Sequence, residues 1–87
     1  MRILYFAWIR EKAGHGAEEV APPAAVGDVA GLVGWLRTRG GGPAQALADL
    51  SLVRVAVNQH LVAFDHPLMP DDEIAFFPPI TGGGGQR

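Results

Sequence analysis

One stretch of the sequence repeats its apolar residues at helical spacing, and that repeat limits what the rest can become. Val29, Leu32, Val33 and Leu36 fall at i, i+3, i+4 and i+7, just after Asp28, a residue suited to an N-cap. The stripe predicts one amphipathic helix over residues 28–39. Gly31 and Gly34 each weaken it by roughly 1 kcal/mol relative to alanine, so it must gain its stability by packing on something. Gly40, Gly41 and Gly42 end it, glycine being the residue a left-handed C-cap favours. Pro43 can then open a short helical turn through Leu47. Arg37 and Arg39 read as complements to the helix macrodipole.

The remaining segments read as strands and turns. Residues 2–8 are aromatic and aliphatic and predict a first strand. A helical turn over 9–13 is broken by Gly14, His15 and Gly16. Residues 17–21 form a weak edge strand, with Glu18 and Glu19 exposed and Pro22-Pro23 as the stop. Val53, Val55 and Val57 alternate with Arg54, Ala56 and Asn58, the pattern of a strand with one buried face. A turn at Asn58-Gln59 leads to a short strand over 60–63. Further turns at 65–67 and 70–72 precede a last strand over 74–77, which Pro78-Pro79 stops by removing two backbone donors. The order predicts an α+β domain with one main helix packed on one face of a sheet. A ferredoxin-like topology would need a second full helix, and residues 58–70 are too rich in turns to supply it. At 87 residues the chain has room for one domain, expected over 1–79, followed by a flexible Gly-rich tail over 80–87.

Several function classes drop out on composition. A formal charge of −2 supplies no basic field for nucleic acid. With no cysteine, disulfides, thiolate metal sites and a cysteine nucleophile are excluded. The apolar run 3–9 meets Arg10, Glu11 and Lys12 without a cleavage pattern, and no run approaches the ~20 apolar residues of a membrane helix. A cytoplasmic protein without membrane contact is expected. Ser51 has no His–carboxylate pair in an obvious relation to it, and His15, His60 and His66 lack metal-ligand spacing. Asp71, Asp72 and Glu73 read as a solvated turn. Gly82 to Gly85 precede Gln86 and Arg87, with no following helix, so they form no phosphate loop. No metal and no bound cofactor are expected.

Two features survive. In the first strand Ile3, Tyr5 and Ala7 point one way and Leu4, Phe6 and Trp8 the other; Ala75 and Phe77 likewise oppose Ile74 and Phe76. One helix cannot cover both faces, so the second apolar face is either a partner patch, the favoured reading, or lies under a loop. The other feature is the stiff Phe76-Phe77-Pro78-Pro79 stem ahead of Ile80, Thr81, Gly82 and Gly83. A disordered Gly-rich end accounts for the glycines but not for the stem.

The segment from Phe76 to Gly83 resembles the closing FFPPxxGG motif of the small, sulfur-carrying subunits of molybdopterin synthase, the MoaD/ThiS family of β-grasp proteins. Val57-Asn58-Gln59, Asp65-His66-Pro67-Leu68 and Asp72-Glu73 resemble the stretch preceding it, and Phe6-Ala7 with Arg10-Glu11 the first strand and turn. The resemblance covers Met1 to Gly83. It implies a ubiquitin-like β-grasp fold with a mixed sheet whose first and last strands are central and parallel. It implies a non-catalytic sulfur carrier for molybdenum cofactor synthesis, whose terminal glycine is adenylated, becomes a thiocarboxylate and gives sulfur to cyclic pyranopterin monophosphate. Catalytic residues would lie on a large partner subunit, in a heterotetramer, and a partner adenylyltransferase/sulfurtransferase would use ATP. Gly83, with Gly82, is the implied reacting terminus, which requires trimming of Gly84, Gly85, Gln86 and Arg87; Gly85 is the weaker alternative. Phe6, Leu61, Phe77, Pro78, Pro79, Ile80 and Thr81 are the implied partner-binding residues. Alternatives are a carrier for thiazole synthesis, a ubiquitin-like modifier, and a non-carrier interaction module.

Overall fold

The structure is a computed structural model and describes residues 1–79. Its elements in chain order are β1 (Arg2–Tyr5), α1 (Ala7–Ala13), β2 (Ala17–Glu19), α2 (Val29–Arg39), α3 (Gly41–Ala46), β3 (Arg54–Val57), β4 (His60–Val62) and β5 (Glu73–Phe77), with a 3₁₀ turn at Leu50–Leu52. The five strands lie side by side in the order β2-β1-β5-β3-β4. β1 and β5 are parallel at the centre, and every other pair is antiparallel. This mixed sheet with its helices on one face is the α+β, ubiquitin-like β-grasp architecture that the sequence pointed to. The segment between β3 and β5 holds β4 and turns, with no helix, so the ferredoxin-like alternative fails.

The helical stripe behaves as its spacing requires. Asp28 is extended and its Oδ1 accepts a 2.7 Å hydrogen bond from the Gly31 N–H, capping α2. Val29, Leu32, Val33 and Leu36 are all buried against the sheet. Val53, Val55 and Val57 are buried too, with Ile3, Tyr5, Ile74 and Phe76 from the central pair. One cluster of buried side chains joins these strands to Ile9 and Ala13 of α1, and to Ala46 and Leu47 at the end of α3.

Several boundaries depart from expectation. The first strand stops at Tyr5 rather than Trp8, because Ala7 takes a positive φ of 54° and turns the chain into α1. Trp8 therefore belongs to a helix and not to the second sheet face. α1 is also longer than the single turn expected. Ile9 and Ala13, four residues apart, both reach the core, and Gly14 ends the helix in the left-handed region. The triple glycine does more than stop α2. Gly40 has φ 74° but an extended ψ of −167°, so it is a corner, not a left-handed cap. α3 starts at once, and a Cβ on Gly42 would overlap the Ala13 carbonyl, so glycine lets α3 approach the end of α1. Arg37 lies in the last turn of α2, as a macrodipole complement should, and has a further task. Its Nε and Nη2 donate to the Leu47 carbonyl at 3.0 and 2.6 Å, tying α2 to the end of α3.

Candidate functional site

Strand register turns an alternation pattern into a surface. Leu4 pairs with Ala17 and Ala75, Ala75 with Ala56, and Ala56 with Leu61. One row of apolar side chains thus crosses all five strands on the face opposite the helices. Leu4, Ala56 and Ala75 are half-buried, and Leu61 at the β4 edge is 71% exposed. No helix of the described residues covers this face.

On one side of the row the chain leaves the sheet. Phe77 ends β5 opposite Arg54. Phe6 remains extended, and its N–H donates to the Phe76 carbonyl at 3.1 Å, so alternation puts its ring on the same face as Leu4. Phe6 is 47% exposed. Phe6, Leu61 and Phe77 lie together on the second apolar face, which no helix of the described residues covers. Pro78 and Pro79 are half-buried directly beyond. Ile80, Thr81, Gly82, Gly83 and the following Gly84, Gly85, Gln86 and Arg87 lie outside the described residues.

Three local devices hold the stem's strand in place. Asn58 and Gln59 both have positive φ, 51° and 71°, making the two-residue turn whose twist suits the β3–β4 hairpin. The Asn58 side chain accepts from the Glu73 N–H at 3.0 Å and donates to Asp72 at 2.9 Å, pinning that turn to the start of β5. Asp72 also accepts from the Met69 N–H at 2.7 Å, so the acidic turn is a structural cap. At the other edge, Tyr5 is buried and stacks on Phe76 with ring centroids 6.1 Å apart. Its hydroxyl donates to Glu18 at 2.8 Å, and His15 and Arg39 approach the same carboxylate at 3.3 and 3.5 Å. Burial, reinforced by the Glu18 hydrogen bond and charge, pushes the Tyr5 hydroxyl far above its ordinary value. Partial burial works to raise the Glu18 carboxyl. Hydrogen bonds from Tyr5 and His15 and the charge of Arg39 outweigh it, and the group stays below the usual range. Glu18 is thus not the solvated edge carboxylate expected of it.

The other chemistry-bearing residues assemble no reactive group. Ser51 donates to Asp49 at 2.6 Å within the 3₁₀ turn, and its hydroxyl and N–H hold that carboxyl below its ordinary value. Among the described residues no three His, Asp or Glu side chains converge as metal ligands. None of the described helices is long and apolar enough to cross a membrane. An apolar hollow of about 420 Å³, lined in part by Met1, Val20, Pro22, Val26 and Leu68, lies at the opposite end of the sheet from the stem. Alternation in the sequence signalled two-faced strands. Which residues meet across them depends on register, so Leu4, Ala56, Ala75 and Arg54 emerge as one surface only in the fold.

The family match extends over residues 3–83, and so takes in every strand and the stem. The chain belongs to the ThiS family. Within this family it is 47% identical over 83 residues to the molybdopterin synthase sulfur carrier subunit of Escherichia coli (strain K12), an alignment covering 95% of this chain and 99% of that protein. Among solved structures, SAMP1 from Haloferax volcanii is similar with a TM-score of 0.72 and 25% identity, covering 95% of this chain and 98% of that one. A chain from the complex of subunits 1 and 2 of molybdopterin-converting factor from Helicobacter pylori 26695 has the same fold. Its TM-score is 0.62 at 23% identity, over 94% of this ThiS-family chain and 96% of its own.

Proposed function

We propose that this chain is a sulfur carrier in molybdenum cofactor biosynthesis, the small subunit and consumed co-substrate of a molybdopterin synthase. The observation that carries this reading is its 47% identity, along nearly its whole length, to a protein bearing that role in its name. The geometry supports it. β5 is the central strand, and it runs out at Phe77 into Pro78-Pro79, so the rigid middle of the sheet aims whatever follows. Proline restricts the stem before binding and lowers the entropy lost when the tail is ordered in a partner. Gly82 and Gly83 carry no Cβ to obstruct a narrow tunnel.

The reacting group is the carboxylate of Gly83, freed by removal of Gly84, Gly85, Gln86 and Arg87. An internal Gly83 carbonyl is an amide and offers no carboxylate oxygen. A free carboxylate resists a sulfur nucleophile, because it is anionic and its oxygen is a poor leaving group. A partner adenylyltransferase overcomes both obstacles. The carboxylate attacks the α-phosphorus of ATP, pyrophosphate departs, and an acyl adenylate remains. A sulfide-level donor then displaces AMP from the acyl carbon, leaving a thiocarboxylate. That sulfur passes to cyclic pyranopterin monophosphate on the large subunit, which supplies the catalytic side chains. Phe6, Leu61 and Phe77 dock the large subunit on the open face, with Pro78, Pro79, Ile80 and Thr81 leading into it, in a heterotetramer of two carriers and two large subunits. ATP is a substrate of the adenylating partner, and the carrier itself holds no cofactor.

The test compares chains ending at Gly83, Gly85 and Arg87 in a purified reconstitution with adenylating enzyme, large subunit, ATP, sulfide and cyclic pyranopterin monophosphate. The Gly83 chain is expected to gain the mass of an oxygen-to-sulfur exchange and to yield molybdopterin. Product from the Arg87 chain alone overturns the assignment of the terminus, and product from none overturns the carrier role. The likeness to the small archaeal modifier protein 1 of Haloferax volcanii favours a second reading, a modifier joined to other proteins through the same glycines. Mass-shifted conjugates in a host lysate would identify it.

A further inference from the structure

The open face carries one cation that no described residue neutralises. Arg54 lies opposite Phe77 in the β3–β5 register, on the row nearest the stem. Its side chain is exposed, and among the described residues it donates only to the carbonyl of its own neighbour, Val53, at 3.3 Å. Among the described residues no carboxylate comes within ion-pair distance of it. The face's other cation, Arg2, lies on the far side of the apolar row, 3.9 Å from Glu19 and in register with Glu73. Charge on this face is therefore sorted along the strands. Among the described residues both signs occur at the far side, the middle is apolar, and the stem side is positive alone.

That asymmetry matters once the face is covered. An apolar row by itself excludes water but reads little about its partner, and would tolerate rotation about the sheet normal. Covering Phe77 brings a partner surface over Arg54 as well. A guanidinium stripped of water with no counter-charge is strongly unfavourable, whereas a carboxylate can meet its planar fork with two parallel hydrogen bonds. We infer that Arg54 is a specificity determinant of the docking face. The protein that accepts the Gly82-Gly83 tail presents an apolar centre to the Leu4–Ala75–Ala56–Leu61 row and an aspartate or glutamate to Arg54. The contact fixes the rotational setting in which the stem points at the partner's site, and it rejects surfaces that are apolar but basic at that rim. This inference rests on the docking face proposed above.

The experiment titrates the full chain into the large synthase subunit from the same host by calorimetry at low and high salt. Arg54→Glu, Arg54→Gln, Arg54→Lys and Leu61→Asp are compared with the parent, and thermal melting checks that each is folded. Arg54→Glu is expected to weaken binding by about tenfold or more and Arg54→Gln by less, with Arg54→Lys keeping most of the affinity and the parent's salt sensitivity shrinking in Arg54→Gln. Unchanged or tighter binding by folded Arg54→Glu overturns the inference. If Leu61→Asp alone weakens binding, the docking face stands and the acidic contact falls. If only Arg54→Glu does so, the acidic contact stands and the apolar row is not the docking centre. Loss of fold in Arg54→Glu leaves Arg54→Gln to decide, and an Arg54→Gln affinity and salt dependence equal to the parent's overturn the inference.

Discussion

The two faces of the sheet are made by the same strands and differ in almost every other respect. On the covered face Ile3, Tyr5, Val55, Val57, Ile74 and Phe76 are at most 4% exposed. On the open face the corresponding middle row is mostly alanine, and among the described residues the larger apolar side chains there are Leu4, Leu61, Phe6 and Phe77. Bulk goes where helices must be held. Small residues with a few protruding anchors lie where the proposed partner would settle. One face stores the stability, and the other is free to be selected for contact.

The sharpest way to break that division is to truncate a leucine on each side. Leu36→Ala, from the helix packed on the covered face, is expected to cost about 2–5 kcal/mol in chemical denaturation. Leu61→Ala should stay within about 0.5 kcal/mol of the parent, as exposed sites do. Equal losses would mean that both faces are core.

Phe77→Ala refines the comparison from the other side. It should weaken association with the large subunit by about 1–3 kcal/mol while the isolated domain still folds. Calorimetry beside a thermal melt reads both quantities, and an unfolded variant would move Phe77 to the structural account. Asp28→Ala, which removes the cap of the helix backing the covered face, should cost about 1 kcal/mol of stability and leave that association unchanged.

The smallest effects are those of pH, and they too should belong to the covered face. The Tyr5 hydroxyl is raised when folded, so the folded domain keeps a proton that the unfolded chain releases. Stability is then present below the ordinary tyrosine value of 10.0 and falls as pH rises past it. Tyr5→Phe should flatten that alkaline fall. Glu18 is lowered when folded, so its contribution is present above the ordinary carboxylate range and disappears as pH falls through its folded value. Glu18→Gln should blunt the acid limb. Denaturation midpoints across pH test both, and an unaltered alkaline limb in Tyr5→Phe would remove the tyrosine from the account.

The covered face was largely legible in the sequence, because its signals are local. Asp28 ahead of a 3–4 spaced stripe, valines alternating at 53, 55 and 57, and prolines after Phe77 each imply their element by short-range sterics and hydrogen bonding. Where the first strand ends was not legible. Aromatic residues through Trp8 favour extension, and nothing in their propensities announces that Ala7 turns with a positive φ. Glu18 was misread for a related reason. His15 is a local neighbour, but Tyr5 and Arg39 are brought to it by the β1–β2 pairing and the end of α2, not by adjacency. The open face was half legible: alternation and the resemblance both pointed to Phe6 and Phe77 and the resemblance alone to Leu61, whereas the apolar row and the place of Arg54 required register. Gly82 and Gly83, proposed as the reacting end, lie outside the described residues, so their assignment rests on the sequence motif.

The parallel pairing of β1 with β5 has a further consequence, in time rather than space. β5 is the last of the five strands to leave the ribosome, yet it is the strand on which both β1 and β3 close. Until it arrives, β1 and β3 have no shared neighbour, and the sheet is two fragments without a middle. A nascent chain therefore has no native resting state to adopt early, and one released before β5 cannot become a near-complete imitation of the finished domain. The strand that completes the fold is also the one that bears the stem, so a chain without its stem strand lacks the middle of its sheet.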